Sequence, residues 1–152
     1  MKKLNKILLA LMLVTVVFMA GCKNVTTTMS YTFNVDNGDQ VEVKLKTNDG
    51  YKLTSSVPFE IKKDSDTLST ATFIYPEYYD EYVKAAKSDS NSTIIEEGTK
   101  DNLTYVMWNY NDEEYNYAIK IKDANTAILL GNIVSEESAK EVFSRLEIEF
   151  VK

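Results

Sequence analysis

Tyr31, Phe33 and Val35 alternate with polar residues, and Val41, Val43 and Leu45 alternate with Glu42, Lys44 and Lys46. A period of two with one apolar side marks half-buried strands. The link between them holds Asp36, Asn37 and Gly38. A two-residue turn at Asn37 and Gly38 would oppose Phe33 to Glu42 and send the two apolar faces to opposite sides. A three-residue loop with Gly38 in left-handed backbone instead pairs Phe33 with Val41 and Tyr31 with Val43. Side-chain parity therefore predicts the three-residue hairpin.

The same reading continues along the chain. Asn48, Asp49 and Gly50 make a turn into a strand near 51–54, and 57–61 is a second strand in which Pro58 implies an edge or an irregular start. A strand at 68–75 leads to Pro76, which suits the first turn of a helix, with Glu77, Asp80 and Glu81 near its positive end. Tyr79, Tyr82, Val83 and Ala86 then fall at i, i+3, i+4 and i+7, one buried stripe of a helix over 76–87. Strands follow at 93–97, 102–110, 114–122 and 126–134. Pairing Tyr110 with Tyr115 would bring Trp108 opposite Tyr117 and Val106 opposite Ile119, all on one face. Residues 127–130 are continuously apolar, as in a central strand covered on both sides. Ser135 caps a second helix over 136–146, whose Ala139, Val142, Phe143 and Leu146 repeat the stripe, and 147–151 closes as a strand. Runs of strands with two packed helices predict the α+β class, a mainly antiparallel sheet carrying both helices.

The first 22 residues break this pattern. Lys2, Lys3 and Lys6 precede an apolar run over 7–18, and Met19, Ala20, Gly21 and Cys22 follow. A positive start, a short apolar core and small residues at a cleavage point form an export signal. The apolar stretch is shorter than the ~20 residues a spanning helix needs. The order resembles the lipobox of bacterial lipoproteins, with Met19 where leucine is commonest. That resemblance implies cleavage after Gly21 and a diacylglycerol-bearing, palmitate-type modification of Cys22. The expected layout is a signal peptide at 1–21, lipidated Cys22 with a polar tether to residue 30, and one domain over 31–152. The protein would then sit lipid-anchored on the extracytoplasmic side of the cell membrane.

Composition narrows the chemistry. Cys22 is the only cysteine, so the domain is stabilised without disulfides. The chain has 17 basic and 23 acidic residues, and removing the leader lysines leaves a net charge of −9. Such acidity disfavours nucleic acid as a partner. The sequence contains no histidine, which excludes Ser-His-Asp and Cys-His catalysis and imidazole metal sites. Gly38, Gly50 and Gly98 all read as turn residues rather than as a phosphate loop. No metal site and no cofactor is expected.

The order of elements also resembles the PsbP-like sandwich and small bacterial lipoproteins of that look, through residues 50–62 and 126–152. Members of that group are mostly accessory or binding proteins, so the resemblance implies a non-enzyme. Two constellations are candidate ligand sites. In the first, Tyr75, Tyr78, Tyr79 and Tyr82 stand beside Glu77, Asp80 and Glu81, and the helical stripe claims Tyr79 and Tyr82, leaving Tyr75 and Tyr78 as the candidates. In the second, Trp108, Tyr110, Tyr115 and Tyr117 stand beside Asp112, Glu113 and Glu114. Aromatic rings next to carboxylates suit a cationic ligand or a glycan. In both clusters packing in the core is the competing role for the rings. The sequence thus favours a non-catalytic binding or accessory module meeting an envelope protein or a cationic or glycan ligand. The alternative is a small carboxylate-dependent hydrolase of cell-envelope glycans, which would need two acids opposed across a cleft.

Overall fold

The computed structural model describes residues 26–152. The leader, with Gly21 and Cys22, lies outside the described residues.

β1 (Thr28–Asn34) and β2 (Gln40–Lys46) form the first hairpin, with Phe33 opposite Val41 and Tyr31 opposite Val43. Gly38 has a φ of 93°, and its N–H donates to the Val35 carbonyl, the bulged three-residue geometry that parity demanded. Thr28–Ser30, read from the sequence as the end of a tether, pair with Lys44–Lys46 and belong to the strand. The final strand β10 (Leu146–Phe150) adds to the other side of β2, setting Leu146 opposite Leu45 and Ile148 opposite Val43. This three-stranded sheet buries Phe33, Val41, Val43, Leu45, Leu146 and Ile148 on its inner face. Its outer face is charged, with Lys44 bridging Glu42 and Glu149 and Lys46 facing Glu147.

The remaining strands make one seven-stranded antiparallel sheet. They are β3 (Tyr51–Leu53), β4 (Phe59–Lys63), β5 (Asp66–Ile74), β6 (Ser92–Lys100), β7 (Leu103–Tyr110), β8 (Glu114–Ile121) and β9 (Ala127–Asn132), in the order β3-β4-β5-β9-β8-β7-β6. The class is α+β, as the sequence predicts. Pro58 stands just before β4, which runs between β3 and β5, so the irregular start applies and not the edge. β9 lies inside the sheet between β5 and β8, and its Ala127, Ile128 and Leu130 are buried.

Each face of the large sheet has its own cover. On one face, α1 (Pro76–Ser88) packs Tyr79 and Ala86 against Val106, Trp108, Ala118 and Ala127. Tyr82, expected in that buried stripe, is instead 41% exposed at its flank. On the other face, α2 (Glu136–Arg145) and the small sheet enclose the main core. There the Phe143 ring stacks on Tyr117 at 4.5 Å and meets Tyr105 at 4.7 Å. The Ser135 side chain accepts from the Ser138 N–H, the cap the sequence predicts.

α2 ends one residue earlier than the stripe suggested, because Leu146 already opens β10. No connecting loop separates helix from strand, so the last helical carbonyls need other donors. The Leu146 N–H donates to the Phe143 carbonyl, and Lys100 reaches in from β6. Its Nζ donates to the helical carbonyls of Phe143 at 2.7 Å and Ser144 at 3.3 Å, and to the carbonyl of Leu146, the first residue of β10, at 2.6 Å. Burial there pulls the Lys100 pKa down.

Gly98 is not a turn residue. It lies within β6 opposite Tyr105, and a Cβ at that position would sit 3.1 Å from the Tyr105 hydroxyl oxygen. The missing side chain lets the ring cross the strand, where its hydroxyl donates to the Glu96 carboxylate.

Candidate functional site

The β7–β8 hairpin decides where the second aromatic cluster goes. Asn111 and Asp112 both have positive φ, 55° and 58°, a region Asn and Asp tolerate better than most residues. The Glu113 N–H donates to the Tyr110 carbonyl at 3.1 Å, and the Asn109 Oδ1 accepts from the Asp112 N–H at 3.0 Å. The connection is therefore three residues long and pairs Tyr110 with Glu114. Trp108 faces Asn116, Val106 faces Ala118, and Met107 faces Tyr117.

This corrects the expected register by one residue. Trp108 and Tyr110 point to the α1 side, whereas Tyr115 and Tyr117 point to the α2 side. A shift of one exchanges faces completely. Trp108 is only 7% exposed and belongs mainly to the core under α1. Tyr117 is fully buried, and burial raises its pKa.

Splitting the rings between two faces creates two shallow depressions at one end of the sheet. The first, about 320 Å³, lies between the α1 flank and the hairpin and is lined by Tyr82, Asp89, Trp108, Tyr110, Glu114 and Asn116. The second, about 460 Å³, lies on the other side of the hairpin and is lined by Asp112, Glu113, Glu114, Tyr115, Ile133 and Val134. Glu114 lines both, so they meet at its side chain. Both volumes fall in the lower half of the ~300–1,000 Å³ usual for ligand sites.

The apolar parts of this strip are unusually accessible. Ile133 is 77% and Val134 55% exposed, on the short link between β9 and α2. The Asn132 Oδ1 holds that link by accepting from the Val134 and Ser135 N–H groups, at 2.9 and 3.3 Å. Asn132 is itself buried and donates to Ser69 and Ser138. Two large aliphatic side chains are thus presented on a fixed backbone next to an acidic turn. Among the described residues, none of Asp89, Asp112, Glu113 and Glu114 has an ion-pair partner.

The first cluster lies elsewhere. Tyr75 and Tyr78 are each 47% exposed, with ring centroids 6.3 Å apart. Tyr75 borders a separate cavity of about 200 Å³ with Val57, Phe73, Asn34 and Asp36, at the start of α1. The spacing of Tyr75, Tyr78 and Tyr82 places all three on one flank of α1.

The sequence predicts one aromatic platform of Trp108, Tyr110, Tyr115 and Tyr117 beside the acidic turn at Asp112; the structure buries Trp108 and Tyr117 and sets Tyr110 and Tyr115 on two sides of the hairpin. The sequence pattern misses Tyr82, Asp89, Ile133 and Val134. The i, i+3, i+4, i+7 stripe includes Tyr82, although its place at the edge of that stripe is a signal of exposure. Ile133 and Val134 looked like the continuation of a strand. No group of three or more Asp, Glu or Cys is placed to hold a metal ion among the described residues. Nor does any helix there have the length and apolarity to cross a membrane. No protein-family model, curated protein or solved structure matches this chain.

Proposed function

We propose that this chain is a membrane-tethered, non-catalytic binding module whose contact surface is the strip around Glu114. The observation that carries the reading is the convergence of three exposed features at one end of the sheet. These are the ring of Tyr82 beside the half-buried ring of Tyr110, the carboxylates of Asp112, Glu113 and Glu114, and the aliphatic pair Ile133 and Val134. Exposed apolar side chains rimmed by polar groups are typical of contact surfaces. The tether rests on the sequence of the leader, with Cys22 following Met19, Ala20 and Gly21. Two acyl chains on that cysteine would hold the domain at the outer face of the cell membrane.

Photo-activated cross-linking in the native host tests the reading. A cross-linking side chain at Tyr110 or Ile133 should trap a discrete protein or glycan adduct. The same group at Glu149, on the charged outer face of the small sheet, should not. Identical adducts at all three positions would refute the proposed surface. Replacement of Cys22 by serine should abolish lipid labelling and release the domain from the membrane fraction; unchanged labelling would refute the tether. The carboxylates are assigned to recognition, so alanine at Asp112, Glu113 and Glu114 should abolish adduct formation. Loss of a detectable envelope-glycan hydrolysis in that variant would favour an enzyme instead.

A further inference from the structure

The strip has a chemistry of its own, and it selects among ligands. Charge comes first. Beyond the four unpaired carboxylates on the strip, Glu77 and Glu81 on α1 also lack an ion-pair partner among the described residues. Other carboxylates among the described residues, such as Asp64, Asp101 and Asp123, are unpaired too, but on the strip the two depressions are lined by acidic residues and by no lysine or arginine. A field of one sign around a groove favours a partner of the opposite sign and speeds its arrival. The shape comes second. Two shallow depressions joined at Glu114 suit an extended chain better than one compact molecule. The lining comes third: rings lie on one side of Glu114, and Tyr115, Ile133 and Val134 on the other.

We propose that this strip takes an extended basic segment of an envelope protein. A lysine or arginine side chain lies along Tyr82 and Tyr110 with its charge at Glu114, and a neighbouring apolar side chain rests on Ile133 and Val134. Tyrosine faces attract a cation, and the long aliphatic stem covers the rings while the charged head stays at the carboxylate. Glu114 joins the two halves, and so sets the register between basic and apolar residues. This inference rests on the binding reading above and names the partner's chemistry.

The full-length chain in detergent micelles provides the test. Trp108, the only tryptophan, lines the groove and reports occupancy by fluorescence. The probe is the capped peptide acetyl-Leu-Lys-Ala-Lys-Leu-amide. It is compared with the same peptide carrying acetylated lysines and with a hexamer of N-acetylglucosamine. The lysine peptide should bind about tenfold more tightly than its acetylated form, and increasingly weakly as salt rises. Glu114→Gln and Tyr82→Ala should each weaken it by about tenfold, and Ile133→Ser by about threefold. Glu149→Gln, on the opposite side of the molecule, should leave it unchanged, with circular dichroism confirming that each variant is folded. Equal binding of the charged and acetylated peptides would overturn the proposal, as would equal losses in the Glu149 and Glu114 variants. Binding of the glucosamine hexamer alone, lost in Tyr82→Ala, would overturn the basic partner but keep the groove. No response to any probe, with no adduct at Tyr110 or Ile133, would overturn both readings.

Discussion

The carboxylate of Asp39 accepts a 2.8 Å hydrogen bond from the hydroxyl of Thr126, and both residues are buried. The same oxygen accepts from the Asn125 N–H at 2.8 Å, while the Asn37 side chain donates to the Thr126 hydroxyl and to the Asn125 carbonyl. Asn37 and Asp39 belong to the β1–β2 connection, and Asn125 and Thr126 lie just before β9. The network therefore ties the tip of the small sheet to the large one. It closes one end of the main core with polar atoms that satisfy each other.

Breaking that tie should destabilise the fold. Thr126→Val removes the hydroxyl but keeps the shape, leaving the buried carboxylate with one donor fewer; a loss of about 1–3 kcal/mol is expected. Asp39→Ala, which strands the Asn125 N–H and the Thr126 hydroxyl together, should cost at least as much. Urea denaturation followed by far-ultraviolet dichroism measures both. A change below ~0.5 kcal/mol in both variants would show the network to be dispensable.

Arg145 fastens α2 to the turn before β3. Its guanidinium lies 4.0 Å from the centre of the Tyr51 ring, donates to the Asn48 carbonyl at 3.0 Å, and pairs with Glu141 and Asp49. Asp49 is well exposed, so its ion pair contributes little. Stacking and the carbonyl bond should dominate, and lysine reproduces neither geometry. Arg145→Lys should lower stability by about 1–2 kcal/mol, and Asp49→Asn by less than about 0.5 kcal/mol. Thermal melts of the two variants check the order.

Lys100→Met keeps an aliphatic stem near the Phe143 ring but removes the donors to the end of α2. The Phe143 carbonyl keeps the Leu146 N–H, so the loss falls mainly on the partly buried Leu146 carbonyl, and about 1 kcal/mol is expected. Hydrogen exchange should show faster opening at 143–146 than in the wild type.

High pH should weaken the core through Tyr105. Its hydrogen bond to the Glu96 carboxylate, with burial second, pushes its pKa up to about 12. A tyrosine raised above its unfolded value of ~10 favours the fold while protonated. That contribution is complete below pH ~10 and fades as pH rises through about 12. Ultraviolet titration should find Tyr105 among several phenols that ionise late, Tyr117 being another, and Glu96→Gln should bring Tyr105 down. Tyr105→Phe should be less stable than wild type below pH ~10 and should close that gap between ~10 and 12.

What the sequence by itself determined follows from burial on one side only. The β1–β2 hairpin has a polar outer face and an apolar inner face, so alternation fixed its register and its loop together. The helices over 76–88 and 136–145 were legible for the same reason, since each buries a single stripe, and Pro76 and Ser135 mark their starts. Tertiary structure alone decided the register of β7 against β8. Leu103 and Tyr105 through Asn109 are all buried, because α1 covers one face and α2 with the small sheet covers the other. A strand buried on both sides loses the polar–apolar contrast that distinguishes one register from the next. The register adopted sends Trp108 under α1 and Tyr115 to the far side, and Asn111 and Asp112 accommodate its three-residue connection with positive φ. The strip around Glu114 exists only because of that choice, and no pattern along the chain places Tyr82 beside Tyr110 or Ile133 beside Tyr115.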